Sequence, residues 1–138
     1  MGEGFITRRN SSGVLIEFEN YYNYEELTRS TPTALSAVRY DLAGASVGDY
    51  ALFAGGYTGN YSNVVDAYNT SLTRSTPATL SVGRDRLAGS SVGNNYALFA
   101  GGYDGSRSSN VVDAYNTSLT RYTPTALSVT RHDLVGAP

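Results

Sequence analysis

One eight-residue sequence occurs twice and constrains the fold more than any other feature. Tyr-Ala-Leu-Phe-Ala-Gly-Gly-Tyr stands at residues 50–57 and again, unchanged, at residues 96–103. The residues before the glycines have the aromatic and apolar content of a strand, and the glycine pair permits a sharp change of backbone direction. A strand that returns after 46 residues indicates a protein built from stacked or radially arranged repeats.

Each repeat divides into four short apolar segments separated by turn residues. No segment shows the 3.6-residue apolar spacing of an amphipathic helix, so we expect an all-β fold. Four short strands in a period of about 46 residues are typical of a propeller blade. In the first copy the expected strands are residues 42–47, 50–54, 63–68 and 72–76. The second copy repeats them, and residues 110–121 are identical to residues 63–74.

The residues that carry these repeats resemble the Kelch-repeat family of β-propellers, of bacterial or phage type or as an engineered fragment. The resemblance rests on a small-residue first strand, the Gly55-Gly56 and Gly101-Gly102 pairs, and the following Tyr68 and Tyr115. A Kelch repeat usually has a tryptophan after that tyrosine, and leucine stands there in this chain. The resemblance implies a Kelch-type propeller with about three blades in the chain. The predicted parts are a partial blade (1–39), two blades (40–84 and 85–131), and a first strand (132–138) that completes a blade of another chain.

The predicted number of blades has a consequence for assembly. Closed propellers contain about 4–8 blades, and an unclosed end leaves unpaired strand edges that promote association. We therefore expect a homodimer that closes a six-bladed ring with two-fold symmetry. In that ring the tail around Leu134 and Val135 pairs with residues 5–8 of the other chain. The alternative is that these residues belong to a longer array.

One face of the predicted propeller is the candidate binding surface. Loops that follow the second and fourth strands share one face, because neighbouring strands alternate in direction, and Kelch-like proteins use that face for partners. Arg and Tyr are frequent interface anchors. The candidate binding residues are Tyr57, Asn60, Tyr61, Arg84, Arg86, Tyr103, Asp104, Arg107, Arg131 and His132. A second, overlapping set of residues is expected to surround the central channel of the propeller: Arg39, Tyr40, Asp41, Arg84, Asp85, Arg86, Arg131, His132 and Asp133. In the alternative interpretation, the recurring Arg and Asp residues pair with each other and lock neighbouring blades.

Catalytic chemistry has little support in the sequence. The chain has no cysteine and one histidine, His132, and nothing places a nucleophile beside a base. We expect no catalytic residue, cofactor or metal. The favoured function is a non-enzymatic binding or structural scaffold that recognises a protein or a glycan. The alternative is an enzyme acting on sugars that resembles the sialic-acid mutarotases.

Charge and hydropathy exclude two classes of partner. The formal net charge is −2 and the ten cationic residues are scattered, which does not match the basic surface of a nucleic-acid-binding protein. No apolar run approaches the roughly 20 residues that span a bilayer, and the amino-terminal residues lack the apolar core of a signal peptide. We expect a soluble protein with no membrane partner; a cytoplasmic or virion-associated location is compatible with this.

Overall fold

The computed structural model describes residues 5–9, 11–12, 15–20 and 27–137. Contacts group the chain into two compact units, residues 1–31 and residues 32–138. The first unit contains an antiparallel hairpin of β1 (Phe5–Arg9) and β2 (Leu15–Asn20). The predicted head, residues 1–39, thus spans the first unit and the first eight residues of the second. Residue 138, the last of the predicted final strand, lies outside the described residues.

The second unit consists of two four-stranded antiparallel sheets, and the described residues contain no helix. This confirms the all-β prediction. It also means that no described helix is available to cross a membrane. Each sheet has its strands in sequence order. Sheet 1 comprises β3 (Ala43–Val47), β4 (Tyr50–Ala54), β5 (Val65–Tyr68) and β6 (Arg74–Ser75). Sheet 2 comprises β7 (Ala88–Val92), β8 (Tyr96–Ala100), β9 (Val112–Tyr115) and β10 (Arg121–Tyr122).

The first strands of the two sheets approach each other closely because their residues are small. Gly89 on β7 lies directly against the carbonyl oxygen of Gly44 on β3, where any Cβ atom would overlap that oxygen. The two strands are further joined by Ser46 and Ser91, whose hydroxyls lie 3.2 Å apart. The requirement for small side chains at this position explains the composition of the first strand in both repeats.

The second strands of the two sheets bury opposite faces of the same sequence. On β4, Leu52 and Ala54 are fully buried, whereas Phe53 is 37% exposed. On β8, the fully buried residues are Ala97 and Phe99. Side chains alternate between the two faces of a strand, so the sheets stack in the same orientation, one face of sheet 1 against the opposite face of sheet 2. The buried core consists of Ala43, Val47, Leu52, Ala54, Val65, Ala67, Ala97, Phe99 and Tyr115, with Leu80 and Leu87 from the connecting segment.

A buried arginine enters each sheet from the segment that precedes it. The Arg84 side chain is fully buried, and its Nη2 atom lies 2.5 Å from Oδ2 of Asp113. Its Nη1 atom donates to the carbonyl of Gly101 at 2.5 Å. Arg39 makes the same 2.5 Å contact with Asp66 in sheet 1.

The burial of Arg84 corrects its assignment to the binding surface. Its guanidinium is enclosed by sheet 2 and cannot reach a ligand on the loops. The contact instead matches the alternative interpretation, in which recurring Arg and Asp residues hold neighbouring parts together. The acidic members of these pairs are Asp66 and Asp113, on β5 and β9, rather than the acids that follow each arginine in the sequence.

Candidate binding site

A row of aromatic side chains crosses both repeats on the loops at one end of the sheets. The ring of Tyr57 lies 5.6 Å from that of Tyr40 and 5.0 Å from that of Tyr61. Tyr61 in turn lies 5.7 Å from Tyr103, which lies 5.8 Å from the imidazole of His132. All four contacts are edge-to-face, a favoured geometry for aromatic pairs. We call these five side chains the aromatic row.

Backbone pairing at the end of β4 and β8 positions the row. Gly55 and Gly56 both have positive φ angles, 73° and 101°, and they turn the chain out of the sheet as the sequence predicted. Tyr57 then exchanges two backbone hydrogen bonds with Tyr40, at 3.2 and 2.9 Å. Tyr103 makes the same pair of bonds with Asp85, at 3.0 and 2.9 Å. The repeats thus fix equivalent loops side by side.

One half-exposed cation, Arg86, is held beside the row. Its guanidinium carbon lies 5.1 Å from the centre of the Tyr103 ring, within the range of a cation–π contact. Its Nε atom donates to Asp85 at 3.3 Å, and Asp133 lies 3.9 Å from Nη1. Desolvation opposes the charged form, but the hydrogen bond and charge of Asp85 outweigh it and raise the pKa of Arg86. The cation is therefore fixed in place between two carboxylates.

Arg86 and the two aspartates that it meets through backbone hydrogen bonds have left-handed backbone conformations. Asp41, Arg86 and Asp133 have φ angles of 56°, 51° and 56°. Their backbones form a ladder in which Arg86 N donates to Asp41 O and Asp133 N donates to Arg86 O, each at 2.9 Å. Strained backbone of this kind concentrates at functional sites. The ladder borders a cleft of about 310 Å³ lined by Asp41, Leu42, Arg86, Leu87, Asp133 and Leu134.

A second cleft, of about 260 Å³, lies along the aromatic row. The pKa of the Tyr61 phenol is raised, first by burial and then by the negative charge of Asp85. Its hydroxyl is therefore protonated at neutral pH and can donate a hydrogen bond. Aromatic faces, carboxylate acceptors and phenol or guanidinium donors therefore meet on one surface. The cleft is lined by Tyr40, Asp41, Tyr57, Tyr61, Asp85 and Arg86.

The imidazole of His132 has two polar neighbours. Its Nδ1 atom lies 2.6 Å from the Oγ atom of Ser108, and its Nε2 atom lies 3.7 Å from Asp133. Ser108 was absent from the predicted set. The signal that could have found it is its position, since Ser108 pairs with Tyr103 as Tyr61 pairs with Tyr57. That equivalence becomes visible only when the two loops, which differ in length, are superposed.

The structure brings together five of the ten predicted binding residues and places the others elsewhere. Asp104 accepts hydrogen bonds from the backbone N–H groups of Ser106 and Arg107 at 2.8 and 3.0 Å, which lower its pKa. It therefore shapes its own loop. Asn60, Arg107 and Arg131 are exposed. The five that come together are Tyr57, Tyr61, Arg86, Tyr103 and His132. Within the described part of the chain, no group of His, Cys, Asp or Glu side chains is placed to hold a metal ion.

Comparison with known proteins supports the fold. No protein-family model matches the sequence, and a search of curated proteins finds no similar sequence. Among solved structures, the chain is similar to YjhT with a TM-score of 0.63 and 16% sequence identity. The match covers 74% of this chain and 36% of YjhT, so this chain corresponds to about a third of that protein. At this identity the likeness concerns the fold alone.

Proposed function

We propose that the chain is a Kelch-type propeller scaffold, without catalytic activity, that binds a glycan on the loop surface formed by the aromatic row. In this proposal, sheets 1 and 2 are neighbouring blades, and the ladder of Asp41, Arg86 and Asp133 lies near the central axis. The main support is the continuity of the row. Four successive ring contacts of 5.0–5.8 Å join loops from both repeats into one surface.

The chemistry of the surface favours a sugar. A sugar ring has an apolar C–H face, which packs on a tyrosine ring, and a rim of hydroxyls, which needs both donors and acceptors. The cleft along the row offers carboxylates from Asp41 and Asp85 as acceptors, with Arg86 and the phenols as donors. Acidic groups outnumber the cation, which favours a neutral glycan over an anionic one. A protein partner would use the same tyrosines as anchors.

A glycan array followed by calorimetry tests the proposal, and the repeats suggest the variant. Tyr61 occupies the position that Ser108 occupies in the second repeat, so Tyr61→Ser introduces the residue that the equivalent loop of the second repeat carries. We expect it to weaken binding of the best neutral glycan about 10- to 30-fold, the effect of losing one aromatic anchor worth about 2 kcal/mol.

The control is Asn94→Ser, since Asn94 is exposed and lies in the turn between β7 and β8, at the opposite end of β8 from the row. It introduces the same residue, serine, at a site that lines neither cleft of the loop surface. This variant should bind as the unaltered protein does. A glycan that binds both variants equally, or an array in which only peptides bind, would contradict the proposal.

A sugar-converting enzyme is the second candidate, and one observation favours it. The charged groups around the left-handed ladder alternate in sign: Arg86 lies between Asp85 and Asp133, with His132 near the latter. Groups of this kind could move a proton during interconversion of sugar anomers. Exchange of anomers measured by NMR, lost in Arg86→Ala, would support this activity over binding alone. Arg84 is unsuitable for that test because it is buried.

A further inference from the structure

The outer face of sheet 2 has the composition of a core surface. Its residue Leu98 corresponds to Leu52 of sheet 1, which sheet 2 covers completely. Ala114 corresponds in the same way to Ala67 and is itself buried, at 4% exposure. Leu98, by contrast, is only half-buried, and Tyr96 is 42% exposed. An apolar cleft of about 230 Å³ lies on this face, lined by Tyr96, Leu98, Ala114, Tyr122 and Pro124.

The tail occupies the place that the first strand of another sheet would take. Gly136 lies against the carbonyl oxygen of Gly89, as Gly89 lies against that of Gly44. The hydroxyl of Ser90 donates to the carbonyl of Ala137 beside this contact. Residues 134–137 form no strand with the described residues. The stacking that joins sheet 1 to sheet 2 is therefore already repeated once beyond sheet 2.

Arg131 stands where a buried arginine stands before each sheet. Its backbone N–H donates to Ser109 at 3.0 Å, and its carbonyl accepts from Gly102 at 2.9 Å. Arg84 makes the equivalent bonds, to Ser62 at 3.1 Å and from Gly56 at 3.0 Å. The Arg84 side chain enters sheet 2, whereas Arg131 is exposed. A sheet built on the tail would therefore receive Arg131 and would need an acid to pair with it.

The hairpin of β1 and β2, together with the sequence at residues 27–29, corresponds to the second, third and fourth segments of a repeat. The sequence of β2 aligns with residues 64–69: Leu-Ile-Glu-Phe-Glu-Asn in β2 stands against Val-Val-Asp-Ala-Tyr-Asn. The alignment agrees with the register, because Glu17 pairs with Arg8 across the hairpin as Asp66 pairs with Phe53 across β4 and β5. Leu-Thr-Arg at residues 27–29 repeats residues 72–74. Glu17 thus has the position of the acid that accepts the buried arginine.

We propose that residues 5–29 of a second copy complete the sheet that the tail begins, with Glu17 of that copy pairing with Arg131. Two such seams, related by a two-fold axis, join two chains with three sheets each into a ring of six, within the range of about 4–8 for closed propellers. The internal contact between sheets 1 and 2 is the template for each seam. Dimer formation needs no ligand. It can therefore be disproved while the proposed glycan binding holds, and glycan binding can be disproved while the dimer holds.

Sedimentation equilibrium on charge-reversed chains tests both the partner and the ion pair. The unaltered protein should sediment at twice the chain mass of 14.7 kDa. Arg131→Glu and Glu17→Arg should each raise the dimer dissociation constant about 100-fold or more, the effect of disrupting a buried pair. Their equimolar mixture should form a one-to-one dimer of native affinity, because one seam then carries the reversed pair and the other the native pair.

The control is Arg107→Glu, which makes the same charge change on an exposed loop and should leave the mass unchanged. The mixing result also guards against misfolding, since two unfolded chains would not regain affinity together. A monomer at every concentration, a trimer, or an open-ended series of larger species overturns the proposal. So does a mixture that dissociates as readily as the single variants.

Discussion

The ion pair between Arg84 and Asp113 leads to a quantitative prediction about stability. Both side chains are fully buried, and Arg84 also donates to the carbonyls of Gly101 and Phe99 at 2.5 and 3.3 Å. Burial lowers the pKa of Arg84, although Asp113 opposes this by hydrogen bonding and charge. Arg84→Met keeps most of the side-chain volume but leaves Asp113 as a buried carboxylate without its main partner.

The expected cost is about 3 kcal/mol, at the lower end of the roughly 3–5 kcal/mol found when one member of a buried pair is removed. The lower end applies because Asp113 keeps other partners. The backbone N–H and hydroxyl of Ser81 lie 3.2 and 3.1 Å from its Oδ2 atom, and Arg121 lies 3.8 Å from Oδ1. Replacing both members, Arg84→Met with Asp113→Leu, removes the isolated charge and should cost at least about 2 kcal/mol less than the two single changes added together.

Urea unfolding followed by circular dichroism measures these differences at one fixed protein concentration, because any self-association would shift the midpoint. A loss of 3 kcal/mol lowers the midpoint by about 1–3 M urea for a typical slope. Arg107→Met is the control, since it removes an arginine from an exposed loop and should change stability by no more than about 0.5 kcal/mol. A cost below about 1 kcal/mol for Arg84→Met, or additive effects in the double variant, would refute the reasoning.

Two further predictions concern packing and pH. Gly89→Ala should cost about 1–3 kcal/mol in urea unfolding, because its Cβ overlaps the backbone of Gly44. The matched change on β3, Gly44→Ala, places its Cβ at ordinary contact distances of 3.6 and 3.7 Å from Phe53 and the Leu52 carbonyl and should stay within about 0.5 kcal/mol; equal costs would contradict this. Burial, with a smaller effect of Asp113, raises the pKa of Tyr115, so its stabilisation is complete below the ordinary value of about 10 and declines above it. The fall in unfolding free energy between about pH 9 and about pH 11 should be shallower in Tyr115→Phe, and an unchanged slope would exclude this cause.

The sequence predicted the strands well because local signals agree there. The bounds predicted for β4 and for its copy β8 match the structure, since the strand ends where the glycine pair forces positive φ. The small-residue segments predicted to be first strands are the strands β3 and β7, which approach each other closely.

Which face each strand buries could not be predicted from its sequence. Phe53 and Phe99 stand in identical segments and pack against Tyr68 and Tyr115 with ring distances of 6.0 and 5.9 Å. Phe99 is fully buried and Phe53 is 37% exposed, because Phe99 lies on the face of sheet 2 that packs against sheet 1. Burial here depends on what stacks beside the repeat, which the repeat itself does not encode.

The same limit explains the misassigned arginine. Arg84 and Arg131 occupy equivalent positions and have equivalent backbone hydrogen bonds, so sequence spacing treats them alike. The difference is that Arg84 has Asp113 within 2.5 Å in the following sheet. A recurring arginine in this chain is therefore an internal contact wherever a sheet follows it, and recurrence alone argues against a role in ligand binding.

Residues that differ between the repeats are the better guide to the ligand. The recurring residues form the strands, the glycine turns and the buried pairs, all of which any stacked repeat needs. Tyr61 in the first repeat corresponds to Ser108 in the second. Arg86 corresponds to an aspartate at each of the two equivalent positions, Asp41 and Asp133. Three aspartates in that ladder would repel one another, so the central arginine offsets the charge of its neighbours. Because its half-exposed guanidinium also lies beside Tyr103, this difference between the repeats places a positive charge on the loop surface that uniform copies would lack.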